Sequence, residues 1–370
     1  MNKNALIKVI IVGKLPPPYF GPAIATEIIL NSDLNKHYNL LHLDTRLNDD
    51  MQTMGKLSFN KIVKTFSIYS NYLKLLKQNN VKIVLIPIAQ ETFGLLKDSV
   101  LIILGRLYKK KIIIHLRGSS LLTWYQSRNF ILQAYIKSKL SKADSAIVLG
   151  ESLRYIFQPF LATDKIFVVP NGANISFPKK EPSSSKVNLL YFANLMANKG
   201  ADLLLNALKD LPKEITMQVS CTVTGRWKNE EFRRLCFDIV NHNNLPVLFE
   251  SPKSGVDKFK QFINADIFIF PPRAPEGHPW VIVEAMAAGL PIITTDQGAI
   301  KECVIHGENG FIVETNSHEG IKQKIIELVT NPEIRKKMAN QSRLLYEERY
   351  TEDKMIENLK SVFDITLARS

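Results

Sequence analysis

Cysteine is scarce in this chain. Cys221, Cys236 and Cys303 are the only three in 370 residues, an odd number with no CxxC pair. That excludes a disulfide framework and a structural zinc site and fits reduced thiols. No apolar run reaches the ~18 uninterrupted residues that a membrane-spanning helix requires. The first strand-like run, Ala5–Val12, has no small-residue cleavage site behind it, so a secretory signal is not expected. These absences together predict a soluble, cytoplasmic protein. Internal repeats and low-complexity tracts are missing too, and 45% hydrophobic residues with 17 Gly and 18 Pro exclude a fibrous or disordered chain. No GxGxxG follows the first strand, so the dinucleotide fingerprint is absent. The second half has no DxD pair, and His37, His42, His115, His242, His278, His306 and His318 are scattered, none paired at ligand spacing on a helix. Chemistry without a bound metal is the expectation.

Acidic residues are rare in one part only. Residues 1–150 hold 21 Lys and Arg against 8 Asp and Glu, whereas the remainder is balanced at 27 each, so the whole net charge of +13 sits on the first part. It is densest around Arg106, Lys109, Lys110, Lys111 and Arg117. Such a field favours polyanions: an anionic membrane surface, a phosphorylated substrate or nucleic acid. A Lys-rich proteome would explain the total but would colour both halves. No stretch shows the aromatic stacking platforms expected of single-strand binders, so nucleic acid is not an expected partner.

At ~100–200 residues per domain the length predicts two domains. Short β-branched runs recur at Ala5–Val12, Val81–Pro87, Lys111–Leu116, Ser145–Leu149 and Ile166–Val169, separated by amphipathic patterns such as Lys61–Lys77. A second series has runs at Val187–Phe192, Thr216–Thr222, Val247–Phe249, Ile267–Phe270, Pro291–Thr294 and Gly310–Val313, and the chain reads as helical beyond Pro332 with a break near Tyr350. The Pro- and Ser-containing stretch Lys179–Lys186 reads as the linker. Strands alternating with helices predict two doubly wound α/β domains facing a central cleft, residues 1–175 and 176–350, with 351–370 as a C-terminal helix.

From Pro279 to Ile293 the only charged or strongly polar residue is Glu284. A helix apolar all round is normally buried, and a carboxylate within it needs a partner for its hydrogen bonds. That partner is either a neighbouring loop's amides or a ligand's hydroxyl pair. Glu276 stands eight residues earlier, in the loop after the buried run Ile267–Phe270, where ligands bind at the carboxyl edge of a parallel sheet. Gly277, His278 and Pro279 lead into the next helix at Trp280, whose first amides suit a phosphate.

The stretch EGHPWVIVEAMAAGLPIITTDQGAIKECVIHGENGFIV resembles the donor-site signature of glycosyltransferase family 4, and VNLLYFANLMANKGADLLLNAL, INADIFIFPP, VVPNGA and PPPYFGPAIATE extend the resemblance over nearly the whole chain. It implies a retaining enzyme of the GT-B fold, using a UDP- or GDP-linked sugar as co-substrate and no cofactor. Glu276 would contact the donor sugar, Glu284 the nucleotide ribose, and the amides from Gly277 to Trp280 the sugar and diphosphate. Lys199 would counter the diphosphate charge. Where the family has an arginine this chain has Asn194, so Arg226 or Lys258 is expected to supply that cation, and His278 departs from the usual residue. His115 would lie near the reacting groups, with Arg117, Gly21 and Pro22 on the acceptor side. The resemblance also implies that the last helix crosses back to the first domain. The basic first domain points to a lipid-linked glycan acceptor of a capsule, O-antigen or exopolysaccharide pathway at the inner membrane face, with peripheral contact to anionic lipid. A sugar-nucleotide epimerase, a glycan phosphorylase and a noncatalytic anion-binding protein are the competing readings.

Overall fold

The computed structural model describes residues 6–17, 20–46, 59–175 and 186–369, of residues 59–63 the backbone alone. The chain divides into two compact units, Met1–Asn171 together with Glu352–Ser370, and Gly172–Thr351. Each is built on a six-stranded sheet with every strand pairing parallel.

The first unit runs β1 (Lys8–Gly13), α1 (Gly21–Asn31), β2 (Asn39–Asp44), α2 (Phe59–Leu76), β3 (Val81–Ile88), α3 (Thr92–Leu107), β4 (Lys111–Leu116), α4 (Leu121–Gln126), α5 (Phe130–Leu140), β5 (Ser145–Val148) and β6 (Ile166–Val168). Its strand order is β2-β1-β3-β4-β5-β6. Central strands such as Ile112–Ile114 are wholly buried, so the sheet needs cover on both faces. Right-handed crossovers place α2, α3 and α5 on one face and α1 on the other. The sequence reading has no strand between Val12 and Val81, and β2 is the correction. It is an edge strand, paired only to β1, and Asn39, His42 and Asp44 break its apolar pattern because most of its residues are only half-buried.

The second unit runs β7 (Val187–Phe192), α6 (Ala201–Lys209), α7 (Lys213–Thr216), β8 (Val219–Thr224), α8 (Glu230–His242), β9 (Val247–Glu250), α9 (Gly255–Asn264), β10 (Ile267–Phe270), α10 (Trp280–Ala287), β11 (Ile292–Thr295), α11 (Ile300–Cys303), β12 (Gly310–Val313), α12 (His318–Thr330) and α13 (Pro332–Arg349). The order is β12-β11-β10-β7-β8-β9. The strand expected at Thr216–Thr222 begins later, because Thr216 closes α7. The linker expected at Lys179–Lys186 lies outside the described residues but for Lys186, as do Pro18 and Tyr19 of the proline run.

After Tyr350 the chain returns to the first unit as α14 (Glu352–Ala368), packed on β3 and β4 opposite α2, α3 and α5. Phe363 is fully buried with its ring edge-on to Tyr38 at 5.5 Å, and the hydroxyls of Thr366 and Ser145 meet at 2.7 Å.

Candidate active site

In the second unit the chain starts at β7, builds outward through β8 and β9, then crosses to β10 on the other side of β7. Between the carboxyl ends of β7 and β10 the loops diverge and leave a crevice, the place where such sheets take ligands. The loop after β7 carries Lys199 and the loop after β10 carries Glu276. Their close approach depends on Gly200, whose φ is +78° and where a Cβ would stand 2.1 Å from the Pro271 carbonyl oxygen. Gly298 allows the same on the far side, since a Cβ there would meet the Glu276 carbonyl oxygen at 1.6 Å.

Arg273 ties the two loops together. Its amide donates to the Asn198 carbonyl at 2.9 Å, and its guanidinium donates to the Ala197 carbonyl at 2.5 Å and to both oxygens of Asp202 at 2.7 Å each. The sequence reading missed this residue. An arginine beside the Pro271-Pro272 pair, together with Asp202 three residues after Lys199, is the trace it leaves. The clamp brings the Lys199 ammonium onto Glu276 Oε1 as a hydrogen-bonded ion pair, with Tyr191 donating to the Lys199 carbonyl from below at 3.0 Å. Burial holds the Glu276 carboxyl above the ordinary glutamate range, and Lys199 pulls it partly back.

Glu284 lies in α10 and is 7% exposed. One of its oxygens has a partner that the sequence reading did not name. Lys258, from α9, donates to Oε1 at 2.5 Å, while Oε2 is buried with no hydrogen-bond partner. Burial raises this carboxyl as well, with Lys258 opposing. Lys258 also lies 5.1 Å over the Phe192 ring. Arg226 is exposed at the end of β8, and its carbonyl accepts from the Leu195 amide at 2.9 Å, which joins its loop to that of the equally exposed Asn194.

Two expectations for the loop before α10 need correction. The His278 ring turns into the core, with Nε2 3.0 Å from Cys303 Sγ and its face on Tyr350 at 5.1 Å, so only its backbone can serve a ligand. Burial pushes its pKa down to about 3, which keeps it neutral. Pro279 has no N–H, so the amides on offer reduce to Gly277, His278 and the start of α10 at Trp280.

The first unit has its own switch point, between β1 and β3. A cavity of about 730 Å³ opens there, lined among others by Lys14, Pro22, Thr26, Tyr69, Lys97 and Arg117. Arg117 donates to the Pro22 carbonyl at 2.6 Å, which brings together two of the residues singled out from the sequence. Gly21 opens α1 beside them. His115 stands next to the last residue of β4, at the carboxyl edge as expected, but is 4% exposed and does not line this cavity. Both its ring nitrogens lack a hydrogen-bond partner, and burial, with Arg117 adding to it, lowers its pKa well below the ordinary value. Lys14 and Lys97 were not singled out from the sequence, although Lys14 directly follows the first strand, where ligands of α/β sheets gather. Burial, then Lys97, lowers the Lys14 pKa.

Among the described residues, no group of three or more His, Cys, Asp or Glu is placed to hold a metal ion, and no helix is long and apolar enough to cross a membrane.

Residues 174–345 match the family model described as Glycosyl transferases group 1. An uncharacterized glycosyltransferase of Haemophilus influenzae is 25% identical over 331 residues, 86% of either chain. The capsular polysaccharide biosynthesis glycosyltransferase CapM of Staphylococcus aureus is 25% identical over 279 residues, 70% of this chain and 71% of that one. Among solved structures, Anabaena HepE in complex with UDP-glucose superposes with a TM-score of 0.72 at 15% identity, covering 97% of this chain and all of HepE.

Proposed function

We propose that the chain, whose residues 174–345 match the group 1 glycosyltransferase model and whose fold is GT-B, is a retaining family 4 glycosyltransferase. It moves a sugar from a UDP- or GDP-linked donor to a hydroxyl of a lipid-linked glycan, in bacterial surface polysaccharide synthesis at the cytoplasmic face of the membrane. The second unit takes the nucleotide sugar, and the first unit takes the acceptor at the carboxyl edge of its sheet.

The observation that carries this reading is the orphaned oxygen of Glu284. A buried carboxylate oxygen without a donor is costly, and a ribose hydroxyl pair is the kind of donor that removes the cost. Glu276 and Lys199 neutralise each other in the absence of a donor. A diphosphate draws the lysine to itself and frees Glu276 for the sugar hydroxyls. As the sugar–phosphate bond lengthens, negative charge grows on the diphosphate, countered by Lys199, by the amides of Gly277 and His278 and by the helix start at Trp280. Arg226, beside Asn194, adds a cation to the same edge. The acceptor hydroxyl attacks the face the phosphate leaves, and the departing phosphate oxygen takes its proton, so no metal ion and no covalent nucleophile are required. Neutral His115 is able to donate from one ring nitrogen and accept at the other.

Thermal-shift titration with UDP, GDP and their sugar conjugates tests the assignment, because a ligand that binds only the folded state raises its melting temperature. Glu284→Ala abolishes the shift. Glu276→Ala keeps most of it and loses turnover. A full UDP shift in Glu284→Ala removes the proposed ribose contact.

A further inference from the structure

Phe66 is 70% exposed, Phe93 65%, Phe130 80% and Ile131 66%. Isolated exposed apolar residues are ordinary, but these four stand together. α3 packs between α2 and α5 on one face of the first unit's sheet. The Tyr69 hydroxyl on α2 donates to the Lys97 carbonyl at 3.3 Å, and the hydroxyls of Ser99 and Tyr135 join α3 to α5 at 2.8 Å. Each of the four apolar residues lies three to five positions before one of these tying residues, which is about one helical turn. All three helices run against the strands, so the four side chains share one level near the carboxyl edge.

The charge of this face is one-sided. α2, α3 and α5 contain seven Lys and Arg and a single acid, Asp98. Asp98 is 5% exposed, lies 3.6 Å from the Lys97 ammonium and accepts from the Ala89 amide at 2.9 Å. No carboxylate of the three helices therefore reaches solvent. Arg128 and Lys142, both exposed, extend the basic surface at the two ends of α5.

We infer that this face docks the first unit on an anionic lipid bilayer, the phenyl rings and Ile131 entering the acyl boundary while the lysines meet the lipid phosphates. Apolar side chains interleaved with cations that outnumber the exposed Glu91 at the cap of α3 match the two layers of such an interface, whereas a soluble acidic partner gives no reason for three exposed aromatic and aliphatic helix turns at one level. Phe93 also lines the 730 Å³ cavity, together with Thr65 and Tyr69 from α2, so the cavity wall continues onto the docking face. A headgroup-linked acceptor enters the cavity from the membrane by that route. This last purpose rests on the lipid-linked acceptor proposed above, but the adhesion does not.

Flotation of the full chain with vesicles tests the inference. At low salt the chain floats with phosphatidylcholine vesicles containing a third phosphatidylglycerol and stays down with pure phosphatidylcholine. The double variant F130D/I131D partitions about tenfold less or weaker still. Both acids fall in the first turn of α5, where they complement the helix dipole and leave the fold intact. L344D, at a position 58% exposed in the second unit, floats as the parent does. Equal flotation of F130D/I131D and the parent overturns the inference, as does capture of a single-stranded RNA probe with no flotation on anionic vesicles. The UDP thermal shift, measured on the same samples, reports on the nucleotide site alone. Its loss with flotation intact would sink the donor reading and leave the docking face standing.

Discussion

Glu276 and Glu284 each combine burial, which raises the carboxyl pKa, with a lysine that lowers it. A raised folded-state pKa means that the folded unit holds the proton more readily than the unfolded chain. The stabilising contribution of these groups is therefore present at low pH and lost as the pH rises through their folded values. Ligand binding has the opposite sign, because the proposed ribose contact uses an ionised Glu284. UDP affinity is expected to fall as the pH drops from neutral toward 4.5, the ordinary glutamate value, with a midpoint above it. Glu284→Gln should be weaker throughout and lack that acid limb, as calorimetric titration at several pH values would show. Both glutamates were legible in the sequence because a carboxylate after a buried run, or inside an apolar helix, conflicts with its surroundings. Their lysines were not legible as partners. Lys199 lies 77 positions from Glu276 and Lys258 lies 26 from Glu284, and only the folded loops bring them together.

At the scale of elements, the loops after β7 and β10 act as one piece because Arg273 holds both. Its bidentate bond to Asp202 is three-quarters shielded from water, so Arg273→Ala leaves a carboxylate and the Ala197 carbonyl without their donor. The expected loss is about 2–3 kcal/mol of unfolding free energy in a urea titration. Turnover is expected to fall with it, since Lys199 loses the placement proposed for countering the diphosphate. Arg273→Lys should rescue little, because an ammonium does not reproduce the planar fork. The strands Lys111–Leu116, Val187–Phe192 and Ile267–Phe270 match the structure to the residue, since β-branched and aromatic runs in a central strand are buried on both faces and leave an uninterrupted signal. Edge strand β2 has one neighbour and half-exposed side chains, and its mixed composition hid it.

The whole molecule joins its units by two chain passages, near Asn171 and near Thr351. Helix α14 belongs to the first unit by packing although it follows the second in sequence. Phe363→Ala removes a fully buried ring from beneath that helix and should destabilise the first unit by about 3–5 kcal/mol in calorimetry. The UDP-dependent shift should persist, because every residue proposed for nucleotide binding lies in the second unit. The charge asymmetry was visible in the sequence as a difference between halves, whereas its concentration on one helical face beside exposed phenyl rings depends on crossover handedness.

The split of the first unit around the second sets an order of events during synthesis. Residues 172–351 emerge from the ribosome as one continuous stretch and can close their sheet at once. The earlier-made strands β3 and β4 wait for α14 to shield them, with the whole second unit still to be translated in between. The portion born first is completed last, and over that interval its bare strand face is the stretch most in need of a chaperone.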